Sequence, residues 1–277
     1  MSNPKDLLDA HSIFPKKSLG QNFLHDPNAV LRIVESAELP EDANVIEVGP
    51  GTGVMTQVLA EASGHVIAIE TDERLLPILE DQVDDYSNVE IIHADFLKVD
   101  LEELVGDEPY YVVANLPYYI TSAIIRKLLD HPNRPQRLIL TVQREVADRI
   151  MEAPGNMSVL SVSVQFYGKP QIVTRLNPAV FWPRPDVESA VIRIDVYDEP
   201  AVDVQDTRNF FKVVRAGFSQ KRKQLRNSLG NGLQIKNTEA DQLLDQANLD
   251  PKRRAETLTL DEWGELTRVY ERLVATE

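Results

Sequence analysis

Asn44-Val45-Ile46-Glu47-Val48-Gly49-Pro50-Gly51-Thr52-Gly53 decides the fold of this chain. An apolar, β-prone run leads into a glycine-rich turn, and Val54 to Ala62 then reads as a helix. Strand, glycine turn and helix in that order open a βαβ unit. Glycines let the backbone approach a ligand closely, and the following helix offers free N–H groups at its N-terminus. Many nucleotide folds use a similar turn, so the rest of the chain must decide what binds there.

Working downstream, His65 to Glu70 is a second strand ending in an acid. An acid at that place in a doubly wound sheet accepts from ribose hydroxyls. Asp72 then caps a helix to about Val83, interrupted in pattern by Pro77. Val89 to His93 is a third strand, and the Asp95 that follows can accept from an adenine amino group, with Phe96 as apolar cover. His93 reads as an ordinary strand residue.

Tyr110 to Ala114 is a fourth strand, and it delivers Asn115-Leu116-Pro117-Tyr118-Tyr119-Ile120. The Asn115 side-chain oxygen can accept from an exocyclic amine. Pro117 holds Leu116 extended and exposes its carbonyl as a second acceptor. Tyr118 offers a face for stacking on a base. Thr121 is placed to cap the apolar run Ala123 to Leu129 as a helix. Glu47, Glu70, Asp95 and Asn115 thus fall at or near four successive strand ends. That regularity predicts one nucleoside-like cofactor lying across the carboxyl edge of the sheet. With the acid Glu47 before it at the strand's end, the glycine turn resembles an S-adenosylmethionine site more than a dinucleotide site.

Upstream, the first dozen residues read as a loose arm. Lys16 to Leu24 follows as a loop broken by Gly20, and Asp26-Pro27 starts a helix. Further down, Arg137 to Val142 is a strand and Gln143 to Met151 a helix. Val159 to Gln165 and Gln171 to Arg175 read as strands. Phe181-Trp182-Pro183-Arg184-Pro185 is a stiff aromatic loop, and Ser189 to Val196 is a last strand. The acidic stretch Tyr197 to Asp206 reads as a linker. Beyond it the periodicity is helical over Thr207 to Phe218, Gln220 to Leu229, Thr238 to Ala247 and Leu260 to Leu273, the last with a capping box from Thr259 and Glu262. The predicted organisation is an arm at 1–15, a catalytic α/β domain at 16–200 and a small all-α domain at 201–277.

Hydrophobic content of 43% and charged content of 26% suit a soluble globular protein. No stretch is long and apolar enough to span a membrane, and the polar, acidic start of the chain resembles neither a signal nor a transit peptide. The absence of cysteine excludes disulfides, thiolate metal sites and a thiol nucleophile, and fits a cytoplasmic protein. No metal site is expected. The net charge is −15, which argues against a nucleic-acid partner. Its distribution argues the other way: Lys212 to Arg226 carries Lys212, Arg215, Lys221, Arg222, Lys223 and Arg226 without an acid, and Lys252-Arg253-Arg254 and Lys16-Lys17 are further basic clusters. A field negative overall but locally positive binds RNA through the basic face alone.

Five segments in order resemble the ribosomal RNA adenine N6-dimethyltransferases, the KsgA/RsmA family. They are Leu19 to Leu24, Glu47 to Gly53, Asn115 to Tyr118, Phe181 to Pro185 with Val187 and Ser189, and Ala216 to Lys223. The resemblance runs from about Lys16 to Leu273. It implies a Rossmann-like methyltransferase fold, mostly parallel with one antiparallel strand inserted near the end. It implies S-adenosylmethionine as donor and two adjacent adenosines in a hairpin loop of 16S rRNA as acceptors. Asn22, Leu24, Gly49, Gly51, Glu70, Asp95 and Asn115 would then line the cofactor site. Asn115 and the Leu116 carbonyl, held by Pro117, would take the target N6, with Tyr118 and Phe181 stacking on its base. Arg215, Lys221, Arg222, Lys223 and Arg226 would meet RNA, with the enzyme a monomer. The strongly acidic balance departs from the basic character usual in the family. Two other readings share parts of this pattern: a methylase of large-subunit rRNA of the antibiotic-resistance type, and a non-catalytic RNA-binding assembly factor.

Overall fold

The structure, a computed structural model, describes residues 3–274. They divide into two compact units, 3–147 with 170–196, and 148–169 with 197–274.

The first unit opens with helix α1 (Pro4–Ala10). This differs from the loose arm expected at 1–15: Asn3 caps the helix and Leu8 is fully buried against Phe23, Leu75 and Ile78. A two-residue strand β1 (Phe23–Leu24) precedes α2 (Pro27–Glu35), which Asp26 caps through the Ala29 N–H, with Pro27 in the first turn. Then follow β2 (Asn44–Val48), α3 (Val54–Ala62), β3 (His65–Glu70), α4 (Leu76–Val83) and β4 (Val89–His93). Pro77 sits in the first turn of α4, where its missing N–H costs nothing, so it starts this helix instead of interrupting it. A short α5 (Leu101–Val105) leads to β5 (Tyr110–Asn115), α6 (Thr121–Asp130), β6 (Arg137–Gln143) and α7 (Arg144–Ile150). Thr121 is the first residue of α6, and its hydroxyl donates back to the Pro117 carbonyl at 3.2 Å; the expected cap is absent.

Next come α8 (Val159–Tyr167), β7 (Gly168–Leu176), β8 (Phe181–Trp182) and β9 (Ser189–Val196). The main sheet has the order β4-β3-β2-β5-β6-β9-β7, and β1 pairs separately with β8. From β4 to β6 all pairings are parallel, while β9 runs antiparallel to β6. The near-continuous burial of β2, β3, β5 and β6 is what a parallel sheet covered on both faces requires. On one face, α2 and α3 pack Val30, Ile33, Val34, Val58 and Leu59 against Val45, Val66 and Val113. The open C-terminal end of α2 is closed by two arginines from the sheet. Arg137 donates to the Ala37 carbonyl at 2.5 Å, Arg193 donates to the Ser36 carbonyl at 3.3 Å, and both bond Asp195.

The second unit contains α8 and the helices α9 (Thr207–Phe218), α10 (Leu225–Leu233), α11 (Asn237–Gln246) and α12 (Leu260–Val274). Residues 159–165, expected as a strand, are helical. Ser158 and Ser161 form a reciprocal capping box, the Ser158 N–H donating to the Ser161 hydroxyl at 2.6 Å. That helix brings Phe166 to a stack on Phe210 with centroids 4.2 Å apart. Residues 148–169 therefore belong with the C-terminal helices, where a boundary at 200 had been expected. The acidic stretch 197–206, expected as a linker, is pinned: Tyr197 and Ala201 donate to the Tyr167 and Phe166 carbonyls, and buried Glu271 accepts from the N–H groups of Gln205 and Asp206. The expected capping box of α12 is present, with Thr259 and Glu262 bonding reciprocally.

Helix α10 starts at Leu225, not at Gln220. The N–H groups of Leu225 and Arg226 are taken by the carbonyls of Arg253 and Pro251 at 2.7 and 3.3 Å, which fixes the first turn there. Lys221, Arg222 and Lys223 consequently stand on an exposed turn, closed by the Lys223 N–H on the Gln220 carbonyl. Among the described residues no helix is long and apolar enough to cross a membrane.

Candidate active site

A cavity of about 310 Å³ opens at the carboxyl ends of β2, β3 and β5, where the sheet order turns outward on both sides of β2. Asn22, Leu24, Gly49, Gly51, Glu70, Asp95, Asn115, Leu116, Pro117 and Tyr118 all line it. Phe181 does not. It lies on β8 opposite Leu24, 2% exposed and packed into the core, so as placed it supports the cavity wall from behind.

The glycine turn is shaped by close approach. Gly49, Gly51 and Gly53 all have positive φ. A Cβ on Gly51 would lie 2.9 Å from the Phe23 ring, whereas a Cβ on Gly49 would meet no protein atom within 4 Å. The space at Gly49 is open. Glu70 holds the turn together: one carboxylate oxygen accepts from the Gly51 N–H at 3.0 Å, the other from the Asp72 N–H at 2.8 Å. Burial still pushes the Glu70 carboxyl up, against those hydrogen bonds.

Asp72 is a node that the sequence reading treated only as a helix cap. It accepts from the Gln21 side chain at 2.8 Å and from Arg74 at 2.6 Å, and Lys16 approaches to 3.7 Å. Arg74 in turn donates to the Phe14 carbonyl. The Arg74 guanidinium holds the Asp72 carboxyl down at about 2, against the opposing effect of burial. This network ties residues 14–21 to the segment that follows β3. On the far side, Asp95 accepts from the Leu97 N–H at 3.0 Å and faces Lys98 at 3.5 Å; its side chain remains partly exposed.

Beneath the turn, Glu47 is fully buried, and neither carboxyl oxygen reaches hydrogen-bond geometry with a described partner. Burial pushes its pKa up to about 8; the Thr56 hydroxyl is near enough to ease that shift but does not complete the bond, and the Glu70 charge adds to it. The unpartnered Glu47 carboxyl and the open space at Gly49 leave polar room in the cavity wall, and S-adenosylmethionine fits a cavity lined this way. Glu47 also makes a testable prediction. Its folded pKa lies above the unfolded value, so the stability it contributes is complete below about pH 4.5 and is lost as pH rises through about 8. Glu47→Gln should therefore flatten the decline in melting temperature between pH 6 and pH 9, measured by calorimetry without ligand. An unchanged slope would assign the decline to other groups.

The fourth strand end carries the most directional arrangement. The Asn115 side-chain nitrogen donates to the Asn22 carbonyl at 2.9 Å. With that nitrogen committed, the oxygen of the same carboxamide is the group left to accept. Leu116 is buried and held by its N–H on the Thr141 carbonyl at 3.1 Å. The Tyr118 hydroxyl meets the Ser189 hydroxyl at 2.6 Å, and burial raises the Tyr118 pKa, so the phenol stays protonated. From the sequence, Ser189 is the start of a strand and part of a matching segment, with no role of its own assigned. Its role needs β9 to lie beside β6, which no local pattern specifies.

The predicted RNA-facing residues lie in the second unit. Arg215, Lys221, Arg222 and Lys223 are exposed. Arg226 is instead paired with Asp241 at 2.7 Å.

A profile described as Ribosomal RNA adenine dimethylase matches residues 14–265. Among curated relatives, Ribosomal RNA small subunit methyltransferase A of Lysinibacillus sphaericus is 44% identical over 272 residues, covering 95% of this chain and 93% of the relative. The protein of the same description from Dehalococcoides mccartyi is 40% identical over 271 residues, covering 98% and 93%. Of solved structures, the 23S rRNA methyltransferase ErmE superposes with a TM-score of 0.71 at 28% identity, over 90% of this chain and all of that one. A dimethyladenosine transferase from Plasmodium falciparum reaches 0.77 at 22% identity, over 90% and 98%, and supports the fold. The cavity, the strand-end polar residues and these matches have one explanation: this chain belongs to the ribosomal RNA adenine dimethylase family, enzymes that use S-adenosylmethionine to methylate rRNA.

Proposed function

We propose that this chain transfers methyl groups to N6 of two adjacent adenosines in a hairpin loop near the 3′ end of 16S rRNA, giving N6,N6-dimethyladenosines during small-subunit assembly in the cytoplasm. The observation that carries this reading is the Asn115 carboxamide at the cavity: its nitrogen is engaged by the Asn22 carbonyl, which leaves its oxygen to accept, and the next residue, Leu116, lines the same cavity. The small-subunit assignment draws on relatives of that description at 40–44% identity, against 28% for the large-subunit enzyme.

When bound, S-adenosylmethionine supplies a methyl group already attached to a sulfonium leaving group. Glu70 would accept from its ribose and Asp95 from its adenine amine, with Asn22, Leu24, Gly49 and Gly51 forming the walls. The chain's own task is orientation. Adenine N6 is a poor nucleophile because its lone pair is delocalised into the ring. In the first transfer Asn115 Oδ1 and the Leu116 carbonyl would accept hydrogen bonds from the two N6–H groups, and in the second one of them would accept from the N6–H that remains. That favours a pyramidal nitrogen, with its lone pair directed along the axis of displacement. Tyr118 stacks on the base, which must leave its own stack to enter. Tyr118 stays protonated and cannot serve as a base, so the N6 proton leaves to solvent.

The Ser189 hydroxyl would hold the Tyr118 ring at its stacking angle. Ser189→Ala and Tyr118→Phe should each lower kcat/KM for RNA by roughly 2- to 10-fold, the worth of one hydrogen bond. The double variant should cost no more than either single one. Additive losses in steady-state kinetics would show that the two hydroxyls act separately.

The function itself is tested by transfer of labelled methyl to small subunits that lack adenosine dimethylation, with the modified nucleosides located. Dimethyladenosine at two neighbouring loop positions supports the reading. Label in large-subunit RNA would make this a methylase of the resistance type. Binding without transfer would make it an assembly factor.

A further inference from the structure

The loop that carries Tyr118 carries a second tyrosine with a different fate. The Ile120 N–H donates to the Pro117 carbonyl at 3.2 Å, closing a turn around residues 118 and 119. The turn sends the two rings apart. Tyr118 is drawn inward by Ser189. Tyr119 stays at the cavity rim and is 60% exposed, among the most exposed large hydrophobic side chains of the first unit.

Tyr119 is nevertheless held in place. Its ring lies against Gly20, where a Cβ would come within 3.4 Å of Tyr119 Cδ1 and 3.6 Å of Pro117 Cβ. Gly20 is anchored by its N–H on the Lys17 carbonyl at 3.0 Å, and Lys17 is itself exposed. A fixed ring with a free face thus stands at the mouth of the cavity, with a cation three residues from its contact point. Core packing does not explain an aromatic ring left largely in solvent.

RNA chemistry supplies an occupant. A target base that leaves its stack to enter the cavity strips its neighbour of one stacking partner. An aromatic face at the mouth replaces that partner, and base–aromatic stacking tolerates any base. We propose that Tyr119 is a second stacking platform that holds the nucleotide adjacent to the target adenosine outside the cavity, with Lys17 meeting the phosphate of that strand. The inference rests on the reading of the cavity as an RNA adenine methyltransferase site and deepens it: one ring serves the base in reaction, the next ring the base beside it.

The test uses the full chain and an RNA hairpin whose loop holds two adjacent adenosines. Tyr119→Ala should weaken hairpin binding roughly tenfold by fluorescence anisotropy, leave the dissociation constant for S-adenosylmethionine unchanged, and be rescued by Tyr119→Trp. Replacing the nucleotide on one side of the target by an abasic one should cost the wild type a similar factor and cost Tyr119→Ala nothing further. Equal abasic penalties in both proteins, on either side of the target, would overturn the proposal. So would a Tyr119→Trp protein no better than Tyr119→Ala, which would mean that the ring serves only to pack against Gly20. Wild-type chain that binds the hairpin but never methylates small subunits would sink the enzymatic reading while leaving the stacking result to stand by itself.

Discussion

Asn115→Ala should lower the turnover number by at least about 100-fold, the scale on which losing an orienting acceptor in a desolvated site costs rate. The structure adds a second consequence. The lost side chain also releases the Asn22 carbonyl, which lies in the wall of the cofactor cavity. A few-fold weaker affinity for S-adenosylmethionine is therefore expected alongside the rate loss. Asn115→Asp separates the two effects. It keeps an acceptor but removes the donor to Asn22, and it places a carboxylate against a carbonyl oxygen. Its cofactor affinity should fall further than that of the alanine variant. Single-turnover methyl transfer and calorimetric cofactor binding together read the outcome. Near-normal turnover in Asn115→Ala would remove the N6-clamp from the mechanism.

Reversal of the basic turn is the second large effect. Changing Lys221, Arg222 and Lys223 together to Glu should weaken subunit or rRNA binding strongly while cofactor affinity is untouched. If each cation neutralises one phosphate, the slope of log affinity against log salt should flatten by about 2 to 3. Between 50 and 200 mM salt the wild type would then lose on the order of 40-fold from these three contacts alone. The acidic remainder of the chain, at net −15, makes this turn matter more than it would in a basic homologue. Arg226 should behave differently. Its pairing with Asp241 makes Arg226→Ala a perturbation of α10 and α11, with a smaller salt signature. A triple variant with an unchanged salt slope would move the RNA footprint elsewhere.

The parallel sheet and its cavity were legible because each βα step repeats one grammar: an apolar run, a polar residue at the strand end, then a helix. Glu47, Glu70, Asp95 and Asn115 obey it, and all four line the cavity. What failed to read was of two kinds. Residues 159–165 are rich in β-branched side chains and resemble a strand, but the Ser158–Ser161 box and the stack of Phe166 on Phe210 select a helix. Propensity lost there to capping and tertiary packing. Other features depend on contacts between distant segments. The start of α10 is set by carbonyls at 251 and 253, the placement of Ser189 by an antiparallel strand, and the node at Asp72 by residues some fifty positions upstream. Phe181 illustrates the limit of motif reading: its segment was identified, while its burial follows from the pairing of β8 with β1.

The tether at Asp72 gives the cavity wall a mechanical character of its own. Residues 14–21 are joined to the segment after β3 through Gln21, Lys16 and the Arg74–Phe14 link, whereas Phe23 and Leu24 are clamped by β8. Residues 14–21 are held by side-chain contacts, where β2 and β5 are held by backbone ladders, so a local opening of this segment is expected to need less free energy than global unfolding. Amide hydrogens of Leu19 to Gln21 would exchange together as one cooperative set, faster than those of β2 or β5. The same wall carries Gly20, on which the Tyr119 ring rests. The cavity wall and the ring proposed to meet RNA thus rest on one segment, and Asp72 and Arg74 are its shared anchor.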